Sequence, residues 1–201
     1  MRRKTLDMIM TAGGAVLIVI LLVAGGLGLW GYNFANSNVH DQLAQQAITF
    51  PPAAAFAHPA VGSEITPSMI PSVSKYAGQP LLTGQQAQVY ANDFIAVHLQ
   101  EIGGGKTYAQ LSAAAQADPT NTKLAGQVAT VFKGTTLRGL LLEAYAFSTF
   151  GEIALVASIV SFVLAGVMLL LTLLGVMHVR RVPEDQEFPK VHHAEKVLEP
   201  V

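Results

Sequence analysis

Two apolar stretches without a single charge, near Met8–Tyr32 and Ile153–His178, constrain this chain more than any other feature. A helix needs roughly 20 mostly apolar residues to cross the hydrocarbon core of a bilayer, and each stretch is long enough with some tilt. In the second, about fifteen strongly apolar residues, among them Ile153, Ile159, Phe162 and the leucines around Leu169–Leu174, contribute about −5 to −8 kcal/mol of insertion free energy, with no Asp, Lys or Arg to oppose them. Glycines at 13, 14, 25, 26 and 28 dilute the first run, yet no charge lies between Asp7 and Asp41. Both runs are therefore expected to span, which makes the lipid bilayer the first partner of the chain.

The basic cluster Arg2, Arg3 and Lys4 ahead of an apolar core also fits a secretory signal, with Val23, Ala24 and Gly25 as a place to cut. A signal core occupies roughly 7 to 15 residues, whereas this one continues to Trp30 and Tyr32. An uncleaved anchor is the better fit. Orientation follows from the basic residues, because Arg2, Arg3 and Lys4 precede the first span while Arg180 and Arg181 follow the second. Loops rich in Lys and Arg stay inside, so both termini are expected in the cytoplasm of a plasma-membrane protein and the middle outside. Trp30 and Tyr32 suit an aromatic belt at the outer interface, although ordinary packing explains either ring as well.

The expected organisation is a cytoplasmic N-terminus (1–7), a first span (8–32), an extracytoplasmic domain (33–150), a second span (151–178) and a disordered cytoplasmic tail (179–201). At about 115 residues the outer segment is large enough for one small core. It has no cysteine, so that core depends on packing rather than on disulfides. A formal net charge of −1 gives no reason to expect nucleic acid.

Within the outer segment no period of two supports a sheet, whereas helix signals recur. The first helix is expected to run past the membrane towards Ile48 and to stop at Thr49–Pro52. Residues 53–74, with Pro59, Pro67 and Pro71, read as a long loop. Thr83 with Gln86, and Thr107 with Gln110, have the spacing of a capping box. Ala87, Tyr90, Phe94, Val97 and Ile102 form the inner stripe of the helix that follows Thr83, and Gly103–Gly105 end it. Asp118–Pro119 is expected to open a further helix broken at Gly134, with Thr135 or Thr136 capping the last one, which feeds the second span. The fold class is therefore all-α, with two antiparallel transmembrane helices flanking a helical domain.

Several short runs resemble a family of small two-span actinobacterial membrane proteins. They are Asp41–Gln46 with Phe50–Pro52, Tyr76–Gln79, Phe94–Leu99, Gly104–Tyr108, Ala117–Thr120, Lys123–Gln127, Leu137–Leu142 and Ala144–Phe147. The resemblance covers most of the chain and implies the two-span topology. Members often have the label "aromatic ring-opening dioxygenase", which implies non-haem iron held by two histidines and a carboxylate. The outer segment has only His40, His58 and His98, with Asp41, Asp93 and Glu101 near them. His98 and Glu101, three apart on one helix, could share a ligand, but a histidine beside a solvated glutamate is the commoner arrangement. His192 and His193 lie across the membrane and cannot complete an outer site. Neither a nucleophile elbow, nor a zinc-protease helix, nor a P-loop is present, because Gly103–Lys106 lacks the P-loop spacing. The expectation is a protein without catalytic residues, cofactor or metal.

Small residues four apart let helices approach closely in lipid. Ala24 and Gly28 on the first span, and Ala157, Ser161 and Ala165 on the second, have that spacing, with Ala154 and Ser158 on an adjoining face. They suit packing of the two spans on each other, a homo-oligomer, or contact with another membrane protein. Neither span holds an ionisable residue at depth, which argues against an ion or proton path. The expected function is that of an accessory subunit or scaffold of a membrane complex. The alternative is an extracytoplasmic sensor or ligand-binding module, with residues 53–74 as its lid, signalling through a partner.

Overall fold

The computed structural model of the chain describes residues 3–59, 65–181 and 183. Among them the fold is all-α, and the one strand-like feature is an isolated antiparallel bridge between Thr49 and Pro80. The helices are α1 (Arg3–Gln46), α2 (Ala53–Ala57), α3 (Ile70–Val73), α4 (Gly84–Val89), α5 (Ala96–Ile102), α6 (Tyr108–Ala117) and α7 (Thr122–Arg181). A 3-10 turn, Ser74–Tyr76, follows α3, and a π-helical stretch, Tyr90–Ile95, joins α4 to α5. Helices α1 and α7 are each long and apolar enough to cross a membrane, and only 11% of the most apolar window of either is buried. The described residues form two compact units, one of those up to Gly28 and from Val156, the other Leu29–Leu155.

In the first unit α1 and α7 lie side by side and antiparallel. The less exposed positions on α1 are Asp7, Thr11, Gly14, Ile18, Leu21, Gly25 and Gly28, and on α7 Ser158, Ser161, Ala165, Met168, Thr172 and Gly175. Steps of four and three alternate along both, a period of 3.5 residues, which keeps a seam facing its partner when two helices wind left-handedly. A Cβ at Gly25 would stand 2.8 Å from the Phe162 ring, and one at Gly14 would stand 2.6 Å from Thr172 Oγ1. The absent side chains are what let the backbones come close.

The second unit has the larger core. Val39 and Leu43 of α1 and Leu141 of α7 meet Phe50, Met69, Val73, Leu81, Ala87 and Ala91. The chain leaves α1 at Ala47, whose φ of 51° breaks the helical path. It then runs antiparallel to residues 78–81, with Phe50 N–H donating to Gln79 O (2.9 Å) and Leu81 N–H to Ile48 O (2.9 Å). That clamp seats Phe50, 1% exposed, against Tyr76 and Tyr90, with ring centroids 5.2 and 5.3 Å away.

Both capping boxes form. Thr83 Oγ1 accepts from Gln86 N–H while Gln86 Oε1 accepts from the N–H groups of Thr83 and Leu82. Thr107 and Gln110 repeat the exchange at the start of α6. Helix α5 ends at Ile102 because Gly104 and Gly105 take φ of 58° and 76°, which residues with a Cβ rarely adopt.

Three expectations need correction. The helix expected to open at Asp118–Pro119 begins at Thr122 instead, because Asn121 caps it by accepting from Leu124 N–H at 3.0 Å while the Asp118 carboxylate holds Thr120 and Asn121. Nor does it break at Gly134 or restart at Thr135 or Thr136, since α7 is continuous through all three. Gly134 is there for space, as a Cβ on it would stand 2.5 Å from Leu99 Cδ2, and Thr136 Oγ1 returns to the Phe132 carbonyl within the same helix. Residues 53–74 are not loop throughout, as α2 and α3 lie within them and bury Phe56 and Val73.

Candidate interaction surface

The seam of the first unit includes some of the small residues singled out by spacing and not others. Ala165 is 3% exposed, and Ser161 and Gly28 are half-buried, whereas Ala24 and Ala157 lie on the outer side of the pair. The neighbours of those two, Gly25 and Ser158, are buried instead. Ser158 Oγ donates to the Gly25 carbonyl at 2.7 Å, a buried bond across the helix pair. A step of four alone drifts around the helix and cannot separate Ala24 from Gly25; the alternation of three and four can. At the far end of the seam His178 Nε2 stands 3.9 Å from Asp7 Oδ2, and Arg180 and Arg181 project outward from the last turn of α7.

In the second unit Trp30 is exposed and stacks on Phe34 at 5.4 Å, while Tyr32 is half-buried. Phe34 in turn meets the edge of Phe147 of α7 at 6.4 Å. These rings lead into a groove of about 420 Å³ between α1 and α7. Its floor is the outer side of Val39, Leu43, Leu141 and Ala144, and its polar edge is Asn38, Gln42, Gln46 and Glu143. The groove is asymmetric in exposure, for Phe34 (49%), Leu140 (59%) and Phe147 (41%) are open although core residues lie directly beneath. Large apolar side chains gathered in one concave strip are the usual mark of a surface that another molecule covers. Only the periodicity of α7 could have revealed the strip in advance, since Leu140 and Phe147 are seven apart on one face of that helix.

The residues considered for iron do not come together. His40 lies on α1, His58 follows α2 and His98 lies on α5. Among the described residues no three of His, Cys, Asp and Glu are grouped so as to hold a metal ion. His98 turns away from an exposed Glu101, packing its ring on Phe94 at 4.5 Å with Nδ1 2.7 Å from the Phe94 carbonyl. Among the described residues, then, no two histidines and a carboxylate are brought together as the dioxygenase label requires. His192, His193 and all of the tail beyond Pro183 lie outside the described residues.

Compared with known proteins, the chain matches no family model, no curated protein and no solved structure.

Proposed function

We propose that this is a non-catalytic, two-pass plasma-membrane protein with both termini cytoplasmic, acting as an accessory subunit or scaffold of a membrane complex. Its segment 33–150 faces outward and docks a membrane-protein partner. The charge-free runs support the two spans, and so does the small burial of their apolar windows, since a core helix of a water-soluble domain buries such a stretch. Basic residues at both ends, from Arg2 to Lys4 and at Arg180 and Arg181, support the orientation.

One observation carries the docking role, the open apolar strip Phe34–Leu140–Phe147 along the groove. Lipid accounts for Trp30 and Phe150 at the outer interface. It does not account for Leu140, which lies ten residues along α7 from Phe150, a rise of about 15 Å. The headgroup layer is only about 5–8 Å deep on each side of the hydrocarbon core, so an exposed leucine at that height calls for a protein neighbour.

A photo-crosslinking side chain at Leu140 or Phe147, activated in native membranes, tests this reading, with the exposed Gln116 of α6 as the control position. One adduct of constant mass from Leu140 and Phe147 but not from Gln116 supports it. Adducts of this chain with itself replace the heterologous partner by a homo-oligomer, and equal or absent crosslinking at all three positions refutes docking through the groove.

A further inference from the structure

The groove of the second unit has a shape that selects one kind of occupant. Both of its walls are helices, α1 from Phe34 to Gln46 and α7 from Leu137 to Phe147, which rise about 18 and 15 Å, or about three turns each. Backbone N–H and C=O groups inside a helix are spent on one another, so neither wall offers the free donors and acceptors that hold an extended peptide as an added strand. The groove is a furrow between two cylinders, and a third cylinder lying along them fills it best. Leu140 and Phe147, both exposed, are seven apart on α7, the spacing of one position in a helical seam that lacks its partner.

We infer that the groove takes a single α-helix of about eleven residues, the outward continuation of a transmembrane helix of the partner. Its apolar residues recur at steps of three and four, and it carries a lysine or arginine on the flank that meets Glu143. The inference rests on the docking role proposed for this groove. Because α1 and α7 are antiparallel, Phe34 and Phe147 line one end of the furrow and Gln46 and Leu137 the other. Beyond the first end stand Trp30, stacked on Phe34, and Phe150, both exposed, next to the apolar runs. The apolar surface therefore leads from the membrane side into the groove, and a helix leaving the bilayer keeps apolar contact along its whole length. The two flanks differ in charge. The α1 flank has three neutral amides, Asn38, Gln42 and Gln46, which suit polar side chains of either kind. The α7 flank has the exposed Glu143 carboxylate, which makes no ion pair among the described residues and is complemented by a cation.

The test locates the points of attachment on the partner. Photo-crosslinked adducts from Leu140 and from Phe147, formed by the full chain in native membranes, are digested, and mass spectrometry identifies the modified partner residue in each. Both side chains are exposed, so the substitutions leave the core intact. The two positions lie about 10 Å apart along α7, a distance that spans about seven residues of a helix but only about three of an extended chain. The expected result is two attachment points about seven residues apart in one partner, with the Phe147 point nearer to an apolar run of about 20 residues. Glu143→Lys is expected to lower both yields about fivefold, as an exposed attraction becomes a repulsion. Attachment points about three residues apart overturn the helix. So does attachment remote from any membrane span, an adduct of lipid mass, or an adduct of this chain with itself, and in each of these cases the groove is still an occupied surface. Unchanged yields in Glu143→Lys overturn the cation. No adduct from either position overturns the docking role itself, and this inference with it.

Discussion

Replacing Gly84 by alanine adds one methyl group at the first position of α4, where the structure has no room for it. The new Cβ would stand 2.3 Å from Ser148 Cβ, 2.7 Å from Ser148 Oγ and 3.3 Å from the Tyr145 backbone. Two carbons in contact need about 3.5–4.0 Å, so α4 and α7 must separate by more than 1 Å next to Ala87 and Gln86, both buried. Overpacking of this kind costs about 1–3 kcal/mol. Alanine recovers at most about 1 kcal/mol of that through its better helix propensity, and less at a first-turn position, leaving a net loss of about 1–2 kcal/mol. Ser148→Gly removes the obstructing side chain, but by itself it places a glycine inside α7 and costs about 1 kcal/mol. The double variant is therefore expected to be no less stable than Ser148→Gly alone, a coupling of about 1–2 kcal/mol in favour of the pair. Since the chain has no cysteine, a single Ala91→Cys, at a position with 0% exposure, reports opening of the domain by thiol labelling under native conditions. Additive losses in the double variant would show that the Gly84–Ser148 approach does not limit how these helices pack.

The capping box at Thr83 makes a second test: Thr83→Ala and Gln86→Ala should each cost about 1 kcal/mol, with Gln86→Ala the worse because it strips partners from both Leu82 and Thr83, and faster hydrogen exchange at those two amides checks it. In the helix pair, Ser158→Ala should weaken association by about 0.6 kcal/mol, the average of such bonds in membranes, whereas Gly25→Leu should disrupt it outright by colliding with Phe162; steric trapping of the unfolded hairpin measures both. Gly126→Ala and Gly139→Ala, where an added Cβ meets nothing within 4 Å, should stabilise α7 by up to about 1 kcal/mol each, while Gly134→Ala should not, because Leu99 occupies the space; thermal unfolding of the three variants side by side separates them.

The contrast between those glycines shows where the sequence is legible. Capping at Thr83 and Thr107, the stop at Gly103–Gly105 and the two apolar runs are local, since each depends on residues within one or two turns, and each is found where its spacing predicts. Gly134 has a local signature like that of Gly105, a glycine beside a lysine with a threonine within two residues, yet it continues a helix. What distinguishes them is a residue 35 positions away, Leu99, which packs onto Gly134. Locally α7 pays a propensity penalty there, and tertiary packing overrides it.

The same reasoning explains why the helix seam was half visible. In a water-soluble coil the seam is the apolar stripe, so a period of 3.5 can be read from hydrophobicity. In α1 and α7 nearly every face is apolar, and the seam differs from the outer faces only by being smaller and richer in hydroxyls: Thr11, Gly14, Gly25, Ser158, Ala165, Thr172 and Gly175. A search for one small pair four apart finds Ala24 as readily as Gly25. On α1 the small pairs Thr11–Gly14 and Gly25–Gly28 share one alternation of steps of three and four, with Ile18 and Leu21 between them, and that shared phase includes Gly25 and leaves Ala24 outside. Exposed positions such as Ala24 and Ala157 then remain free to meet something other than the partner helix, as the exposed Leu140 and Phe147 are in the second unit. For that reason the surfaces left open, rather than the seam itself, are where partners of this protein should be sought.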